Sequence, residues 1–138
     1  MIRKINKEEI ETIAEEYEKE MGDNFMAVGE KPISKDDYAK ILRSNYKKSS
    51  MYVLDTKGFK GFLWFVKKDN EINLEEIFVL EKNKGFGKEL MGFLIDYAKK
   101  NKIKKINLDV HYRNKRAIDF FKLFGFTERT SEMSLDLD

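Results

Sequence analysis

The apolar residues of this chain recur with two periods, one typical of helices and one typical of strands. Helical spacing predicts four helices, over residues 6–22, 34–46, 88–100 and 114–124. Apolar runs and alternating apolar and polar residues predict six extended segments, at residues 2–5, 51–54, 60–66, 71–80, 104–111 and 126–137. The predicted order of elements is therefore β-α-α-β-β-β-α-β-α-β.

The centre of this order is a strand–helix–strand unit over residues 71–111. Such a unit makes a right-handed crossover between two parallel strands, whereas the short turns elsewhere connect antiparallel strands. The predicted fold is thus of the mixed α/β (α+β) class, with a mostly antiparallel sheet, one parallel pair and flanking helices. We see no repeat, low-complexity tract or linker, so residues 1–138 are expected to form a single domain.

A glycine- and lysine-rich turn joins the central strand to the central helix. Lys82, Lys84 and Lys88 surround Gly85 and Gly87, which come just before the helical apolar pattern begins. Free N–H groups and the helix dipole make a helix N-terminus favourable for a phosphate, and glycine allows close approach. A tight turn before a helix could contain the same glycines without binding a phosphate.

A second block of residues supports a functional interpretation of this turn. The pattern Lys82-x-x-Gly85-x-Gly87 resembles the acyl-CoA pyrophosphate loop of the GNAT superfamily of N-acetyltransferases. The later block resembles the second signature of that family, an Asn, an Ala, an aromatic pair and Gly-Phe: Asn114, Ala117, Phe120, Phe121, Gly125 and Phe126. The first position of the loop departs mildly, because Lys82 replaces the usual Arg or Gln and lacks the planar fork of Arg.

The resemblance implies an acetyltransferase that uses acetyl-CoA as co-substrate and a primary amine as acceptor, in a ternary complex. It also implies the GNAT fold, in which the fourth and fifth strands splay apart and the pantetheine arm enters the gap. The residues implied to contact acetyl-CoA are Ile77, Phe78, Val79, Lys82, Lys84, Gly85, Phe86, Gly87, Lys88, Glu89, Asn114 and Phe121. Asn114 is also a candidate N-cap of the last helix.

Deprotonation of the amine needs a base, because a lysine-like amine has a pKa near 10.4. Glu75 lies in the strand segment where the family often carries a catalytic glutamate, and Asp109 lies five residues before Asn114. Both are candidate catalytic bases, although either could simply be the polar face of a strand. Strict alternation along the strand predicts that Glu76 faces away from Glu75.

Phe121 occupies the position where the family usually has a tyrosine that protonates the leaving thiolate. A phenyl ring cannot donate a proton, so an alternative function is a catalytically weak acyl-CoA-binding sensor or regulatory module. A phosphate-loop nucleotide enzyme is less well supported, because the turn lacks the Gly-x-x-x-x-Gly-Lys-Ser/Thr order.

Composition narrows the remaining functions. The 27 basic and 25 acidic residues leave a net charge of only +2, which argues against a dedicated nucleic-acid binder. The chain has no cysteine, which excludes thiolate nucleophiles and thiolate metal sites. It has only one histidine, which excludes a multi-histidine metal site. No apolar run approaches membrane-spanning length, so we expect a cytoplasmic protein. A homodimer is compatible with the sequence, which names neither the acceptor amine nor the oligomeric state.

Overall fold

The computed structural model describes residues 1–137 and contains the predicted mixture of strands and helices. The five strands are β1 (Ile2–Lys4), β2 (Ser50–Asp55), β3 (Phe59–Lys68), β4 (Glu71–Val79) and β5 (Lys105–Leu108). The four α-helices are α1 (Ile10–Ala27), α2 (Lys35–Asn45), α3 (Phe86–Lys100) and α4 (Lys115–Leu123). Short 3-10 turns precede α1 and follow α2, at Lys7–Glu9 and Tyr46–Lys48. No helix within residues 1–137 combines the length and apolar character needed to cross a bilayer.

The strands form one sheet in the order β1-β2-β3-β4-β5. The first four strands pair antiparallel with their neighbours, and β5 pairs parallel with β4. Helix α3 makes the crossover between β4 and β5, as parallel strands require. The mixed fold with one parallel strand–helix–strand unit is therefore confirmed.

Alternating side chains of the sheet divide the core into two layers. Met51, Val53 and Phe62 pack with the apolar faces of α1 and α2. Their sequence neighbours on the same strands, including Leu54 and Leu63, pack with α3 and with the aromatic face of α4. The sheet is thus covered on both faces, and β4 lies between the two helical layers.

Helix α1 extends five residues beyond the end predicted at Gly22. A helical glycine costs only about 1 kcal/mol relative to alanine, and Phe25 recovers this by packing against the core. The helix ends instead near Gly29, whose φ of 80° is left-handed. The amide of Glu30 donates to the carbonyl of Phe25 at 2.8 Å, which is the closing bond of a Schellman motif.

The predictions for the C-terminal strands were too long. Strand β5 ends at Leu108 instead of His111, because its pairing with β4 stops at Leu74. The final strand predicted over residues 126–137 is absent from the described structure, where this segment is irregular. A strand needs a partner for its backbone groups, and the alternating sequence alone does not supply one.

Two glycines give a matched test of the packing of this core. A Cβ on Gly61 in β3 would lie 2.9 Å from Leu90, 3.1 Å from the carbonyl of Phe78 and 3.2 Å from Val79. We expect Gly61→Ala to lower the free energy of unfolding by about 1–3 kcal/mol through overpacking. Gly92 in α3 has no such neighbour within 4 Å, so Gly92→Ala should raise the free energy of unfolding by about 0.5–1 kcal/mol. Urea titrations of both variants measure the two effects, and equal stabilities would contradict the packing described here.

Candidate functional site

The two parallel strands separate halfway along β4. Their pairing covers only Glu71–Leu74 on β4 and Lys105–Leu108 on β5, and β4 continues to Val79 without a neighbour on this side. A cavity of about 460 Å³ opens at the point of separation. It is lined by residues 74–77 of β4, residues 108–111 at and after the end of β5, parts of α4, and the end of α1 with the connection that follows it.

A β-bulge lies on β4 where the strands separate. On the other side of β4, Trp64 pairs with Glu76 and Phe65 pairs with Leu74, so Glu75 is an extra residue without a cross-strand partner. A bulge leaves the backbone groups of the extra residue outside the ladder. The groups of Glu75 are therefore available to a ligand in the cavity.

The bulge also breaks the alternation of side chains along β4. Ile72 and Leu74 pack in the layer of α3, and after the bulge Ile77 and Val79 pack in the same layer. The expectation that Glu75 and Glu76 face opposite sides rested on strict alternation and does not hold here. Both glutamates line the cavity. The shift from even to odd apolar positions is a sequence signal of this bulge.

Four carboxylates line the cavity, those of Glu30, Glu75, Glu76 and Asp109, and Glu76 is the least exposed of them. Glu75 and Asp109 are exposed, whereas Glu76 is partly buried beneath α1 and α2. The hydroxyl of Tyr38 in α2 donates to Glu76 Oε1 at 3.4 Å. Burial raises the pKa of Glu76 to about 8; the nearby charge of Glu75 adds to this increase and the Tyr38 hydrogen bond opposes it. Sequence reasoning missed Glu76 because it assigned this residue to the opposite face.

The predicted phosphate loop lies at the N-terminus of α3. Gly85 is the N-cap residue and has a left-handed φ of 82°, with no side chain capping the helix. Helices α2 and α4, by contrast, are capped by the side chains of Ser34 and Asn114. The amides of residues 86–88 donate to no acceptor within residues 1–137, and the first intrahelical bond runs from Glu89 to Gly85. This helix end has free donors.

Basic side chains surround these donors, and helix α4 connects them to the cavity. Lys82, Lys84 and Lys88 are exposed. A Cβ on Gly87 would lie 3.1 Å from the ring of Phe120, and that ring packs edge-to-face on Phe121. Phe121 itself lines the cavity. The loop and the cavity are thus neighbouring parts of one surface.

The structure places the other predicted residues in different surroundings. Ile77 and Asn114 line the cavity, and Asn114 Oδ1 also accepts from the amide of Ala117 at 3.2 Å as the N-cap of α4. Phe78 is buried against the aromatic side chains below α1, and Val79 lies partly buried in the layer of α3. Neither residue is part of the cavity lining, so only their backbone groups could meet a ligand.

A histidine that the sequence placed at the end of a strand, as a structural or substrate-lining residue, completes the rim of the cavity. His111 Nδ1 accepts from the amide of Arg113 at 3.1 Å, and His111 Nε2 lies 3.4 Å from Glu30 Oε1. Glu30 follows α1, so this contact joins the two walls of the cavity. His111 is accordingly a wall residue that holds the connection after α1 near the end of β5.

The fold thus has a cavity between two splayed parallel strands, beside a helix N-terminus without a side-chain cap. The sequence profile of the Acetyltransferase (GNAT) family matches residues 10–126. The chain therefore belongs to the GNAT acetyltransferase family. No curated protein is similar enough in sequence to count as a match.

Solved structures of acetyltransferases share the fold at low sequence identity. PaiA N-acetyltransferase from Thermoplasma acidophilum, in complex with coenzyme A, has a TM-score of 0.77 and 19% identity, over 96% of this chain and 92% of its own. Ribosomal-protein-alanine N-acetyltransferase from Brucella melitensis biovar Abortus 2308 has a TM-score of 0.71 and 16% identity, over 100% and 99%. N-acetyltransferase from Staphylococcus aureus Mu50 has a TM-score of 0.72 and 20% identity, over 91% and 82%.

Proposed function

We propose that this domain transfers the acetyl group of acetyl-CoA to a primary amine by direct attack in a ternary complex. The observation that carries the proposal is the cavity at the splayed strands, which combines a partly buried carboxylate, an unpaired stretch of backbone and a neighbouring phosphate-binding helix end. Membership of the acetyltransferase family supports the reaction class. The coenzyme A bound by the PaiA neighbour supports the co-substrate.

The N-terminus of α3 fits the pyrophosphate of acetyl-CoA. The free amides of residues 86–88, the positive end of the helix dipole and the exposed ammonium groups of Lys82, Lys84 and Lys88 converge there. The absence of a Cβ on Gly87 leaves room beside Phe120. The unpaired edge of β4 over residues 75–79 would then receive the pantetheine arm by backbone hydrogen bonds.

The chemistry proposed for the cavity is one acyl transfer. The amine nitrogen attacks the carbonyl carbon of the thioester, the new C–N bond forms and the C–S bond breaks. Before the attack the protonated amine gives one proton to a carboxylate, because an ammonium nitrogen has no lone pair. After the attack the nitrogen loses its second proton to water, and CoA leaves as a thiolate. In this proposal the backbone amides at the bulge, which lie outside the ladder with β3, donate to the carbonyl oxygen as it gains negative charge.

Among the carboxylates of the cavity we propose Glu76 as the base. A pKa of about 8 is closer to that of the amine than an ordinary carboxyl pKa, so the proton transfer is less unfavourable. Glu75 and Asp109 stay as proposed alternatives, because both line the same cavity. Glu75 has a second role in the proposal, since its charge contributes to the raised pKa of Glu76.

The experiment that tests the function is turnover of acetyl-CoA with a panel of primary amines. The panel should contain small monoamines, polyamines, amino acids, aminoglycosides and peptides that present either a free N-terminus or lysine. Free thiol released above the rate without acceptor supports the transferase, and mass spectrometry of the acceptor should show one added acetyl group. A panel without thiol release above that rate would contradict the proposal.

Phe121 favours a second candidate, the catalytically weak acyl-CoA sensor. The ring lines the cavity and packs against Phe120 and Phe126, so it fills space without offering a proton donor. A thiol has a pKa near 8.5, by analogy with cysteine, so its thiolate can leave unprotonated at modest cost. The phenyl ring is therefore compatible with an active enzyme as well.

We expect Phe121→Tyr to increase the turnover of an active enzyme by a modest factor, of less than about 100-fold. The limit follows from the size of general-acid effects and from a leaving group that is already weakly basic. Thiol release by both proteins against the amine panel measures the effect. If the domain is a sensor, both proteins should bind acetyl-CoA, seen by calorimetry, and release no thiol above background. That result would decide for the sensor.

A further inference from the structure

Two tyrosines from different helices pack together beside Glu76. The rings of Tyr17 in α1 and Tyr38 in α2 stack with their centroids 3.6 Å apart and an interplanar angle of 5°. Both side chains are buried. Edge-to-face contacts with Phe25 and Phe78 hold the Tyr17 ring from two further directions. The orientation of both rings next to the carboxylate is therefore fixed by packing.

The two hydroxyls have different surroundings. Tyr38 donates to Glu76 Oε1 at 3.4 Å and is not part of the cavity lining. Tyr17 lines the cavity, and its hydroxyl has no hydrogen-bond partner within residues 1–137. Every fully buried polar side-chain atom of the described residues has such a partner, so the Tyr17 hydroxyl is accessible from the cavity. Tyr38 thus holds Glu76 from within the core, and Tyr17 offers a hydroxyl to a ligand.

Electrostatic coupling shows that the Tyr17 hydroxyl lies near Glu76. Burial raises the pKa of Tyr17, and the negative charge of Glu76 adds to this increase. A tyrosine with a raised pKa stays protonated at neutral pH, so it provides a neutral hydroxyl beside the carboxylate. A neutral hydroxyl can accept a hydrogen bond from an ammonium group but does not compete with Glu76 for its proton.

We propose that the Tyr17 hydroxyl binds the acceptor amine and directs it to Glu76, an inference that rests on the transferase proposed above. A protonated primary amine has several N–H donors. One of them gives its proton to the Glu76 carboxylate, and the Tyr17 oxygen accepts a hydrogen bond from another. No other bond forms or breaks in this step. Tyr38 is a positioning residue, because its hydrogen bond holds Glu76 in place for the transfer.

Tyr17→Phe tests the contact with the amine, because it keeps the ring and removes only the hydroxyl. We expect kcat/KM for the amine to fall by about 10–100-fold, mostly through a higher KM, as for a lost hydrogen bond to a charged group. The midpoint of the pH profile should stay where it is in the wild type. Calorimetry of the amine with the protein–CoA complex should show weaker binding of the amine, with an unchanged affinity for CoA.

Tyr38→Phe should give a different pattern. The Tyr38 hydrogen bond lowers the pKa of Glu76 against the larger effect of burial, so its loss should move the midpoint of the pH profile upward from about 8. The KM for the amine should change by less than about threefold. Both variants keep the other ionisable side chains of the cavity, which are those of Glu30, Lys31, Glu75, Asp109 and His111. A midpoint that does not move in Tyr38→Phe would overturn its positioning role.

Tyr46→Phe is the matched control for the loss of a tyrosine hydroxyl. Tyr46 packs against the same core layer, and its hydroxyl donates to the carbonyl of Ile5 at 3.5 Å, away from the cavity lining. We expect this variant to have the kinetics of the wild type, and equal losses in Tyr17→Phe and Tyr46→Phe would overturn the proposal.

The wild type separates this inference from the transferase on which it rests. If the wild type releases thiol and Tyr17→Phe keeps both its kcat/KM and its affinity for the amine, the role of Tyr17 is overturned and the transferase stands. If the wild type releases no thiol with any amine of the panel, the transferase is overturned, and the role of Tyr17 with it.

Discussion

Glu76→Gln is expected to lower kcat by about 10²–10⁴-fold while the affinity for acetyl-CoA changes less than threefold. The amide keeps the shape of the side chain beside Tyr38 and removes the group that accepts the proton. Steady-state turnover and calorimetry with CoA measure the two quantities. The matched controls are Glu75→Gln and Asp109→Asn, which remove two exposed carboxylates of the same cavity. If Glu76→Gln keeps the turnover of the wild type and one of the controls loses turnover, the residue changed in that control is the base.

The pH profile adds a second expectation for the same variant. A base must be ionised to accept a proton, so the turnover of the wild type should rise with pH. The midpoint of this rise should lie near the Glu76 pKa of about 8, and the turnover should level off above it. Glu75→Gln should shift this midpoint downward, because the charge of Glu75 contributes to the raised pKa. The residual activity of Glu76→Gln should not show this rise with pH. If the rise with pH persists in Glu76→Gln, it reflects the ionisation of another group, such as the acceptor amine.

The same carboxylate should reduce the stability of the fold at neutral and alkaline pH. Because its pKa is raised on folding, the folded state keeps a proton that the unfolded state loses between pH 4.5 and about 8. The contribution of Glu76 to the free energy of unfolding therefore falls as the pH rises through this window. At pH 9 the free energy of unfolding of Glu76→Gln should exceed that of the wild type by as much as about 5 kcal/mol, whereas at pH 4.5 the two values should be similar. A difference that does not depend on pH would contradict the raised pKa.

Gly87→Val is expected to weaken the binding of acetyl-CoA more than tenfold, which corresponds to about 1.4 kcal/mol. Its Cβ would press on the ring of Phe120 at 3.1 Å, and the branched side chain would crowd the free amides at the start of α3. Gly85→Val should have a similar effect for a different reason, because the left-handed φ of 82° is strained for a β-branched residue.

Gly92→Ala is the control for this prediction, since Gly92 lies in the same helix with open space around it. Its affinity for CoA should equal that of the wild type. Thermal unfolding of each variant separates a loss of binding from a loss of fold. Calorimetry that gives unchanged affinities for both Gly87→Val and Gly85→Val would remove the helix end from the CoA site.

Much of the fold could be predicted from the sequence because its signals are local. Apolar spacing marked the central strand and helix, and the glycine-lysine turn between them marked a helix N-terminus suited to phosphate. Asn114 was expected to cap α4, and its side chain does so at 3.2 Å. Such features depend on neighbours within one helical turn or one strand, and those neighbours are adjacent in the sequence.

The local signals failed where an element depends on a distant partner. Helix α1 passes Gly22 because Phe25 packs against the core, and this packing involves other elements. Strand β5 stops at Leu108 because β4 leaves it, although the alternating pattern continues to His111. The same reason applies to residues 126–137, where the sequence has the strand period but the described structure has no strand.

The sequence by itself determined the reaction class, through the two blocks around Gly85 and Asn114 that the family profile matches. Only the tertiary structure decided which glutamate of the cavity is partly buried. The bulge at Glu75 changes the direction of the side chains, and the packing of α1 and α2 brings Tyr38 to Glu76 from 38 positions away in the sequence. The reason is that a raised pKa depends on how much water surrounds a carboxylate, and that is set by every element packed around it.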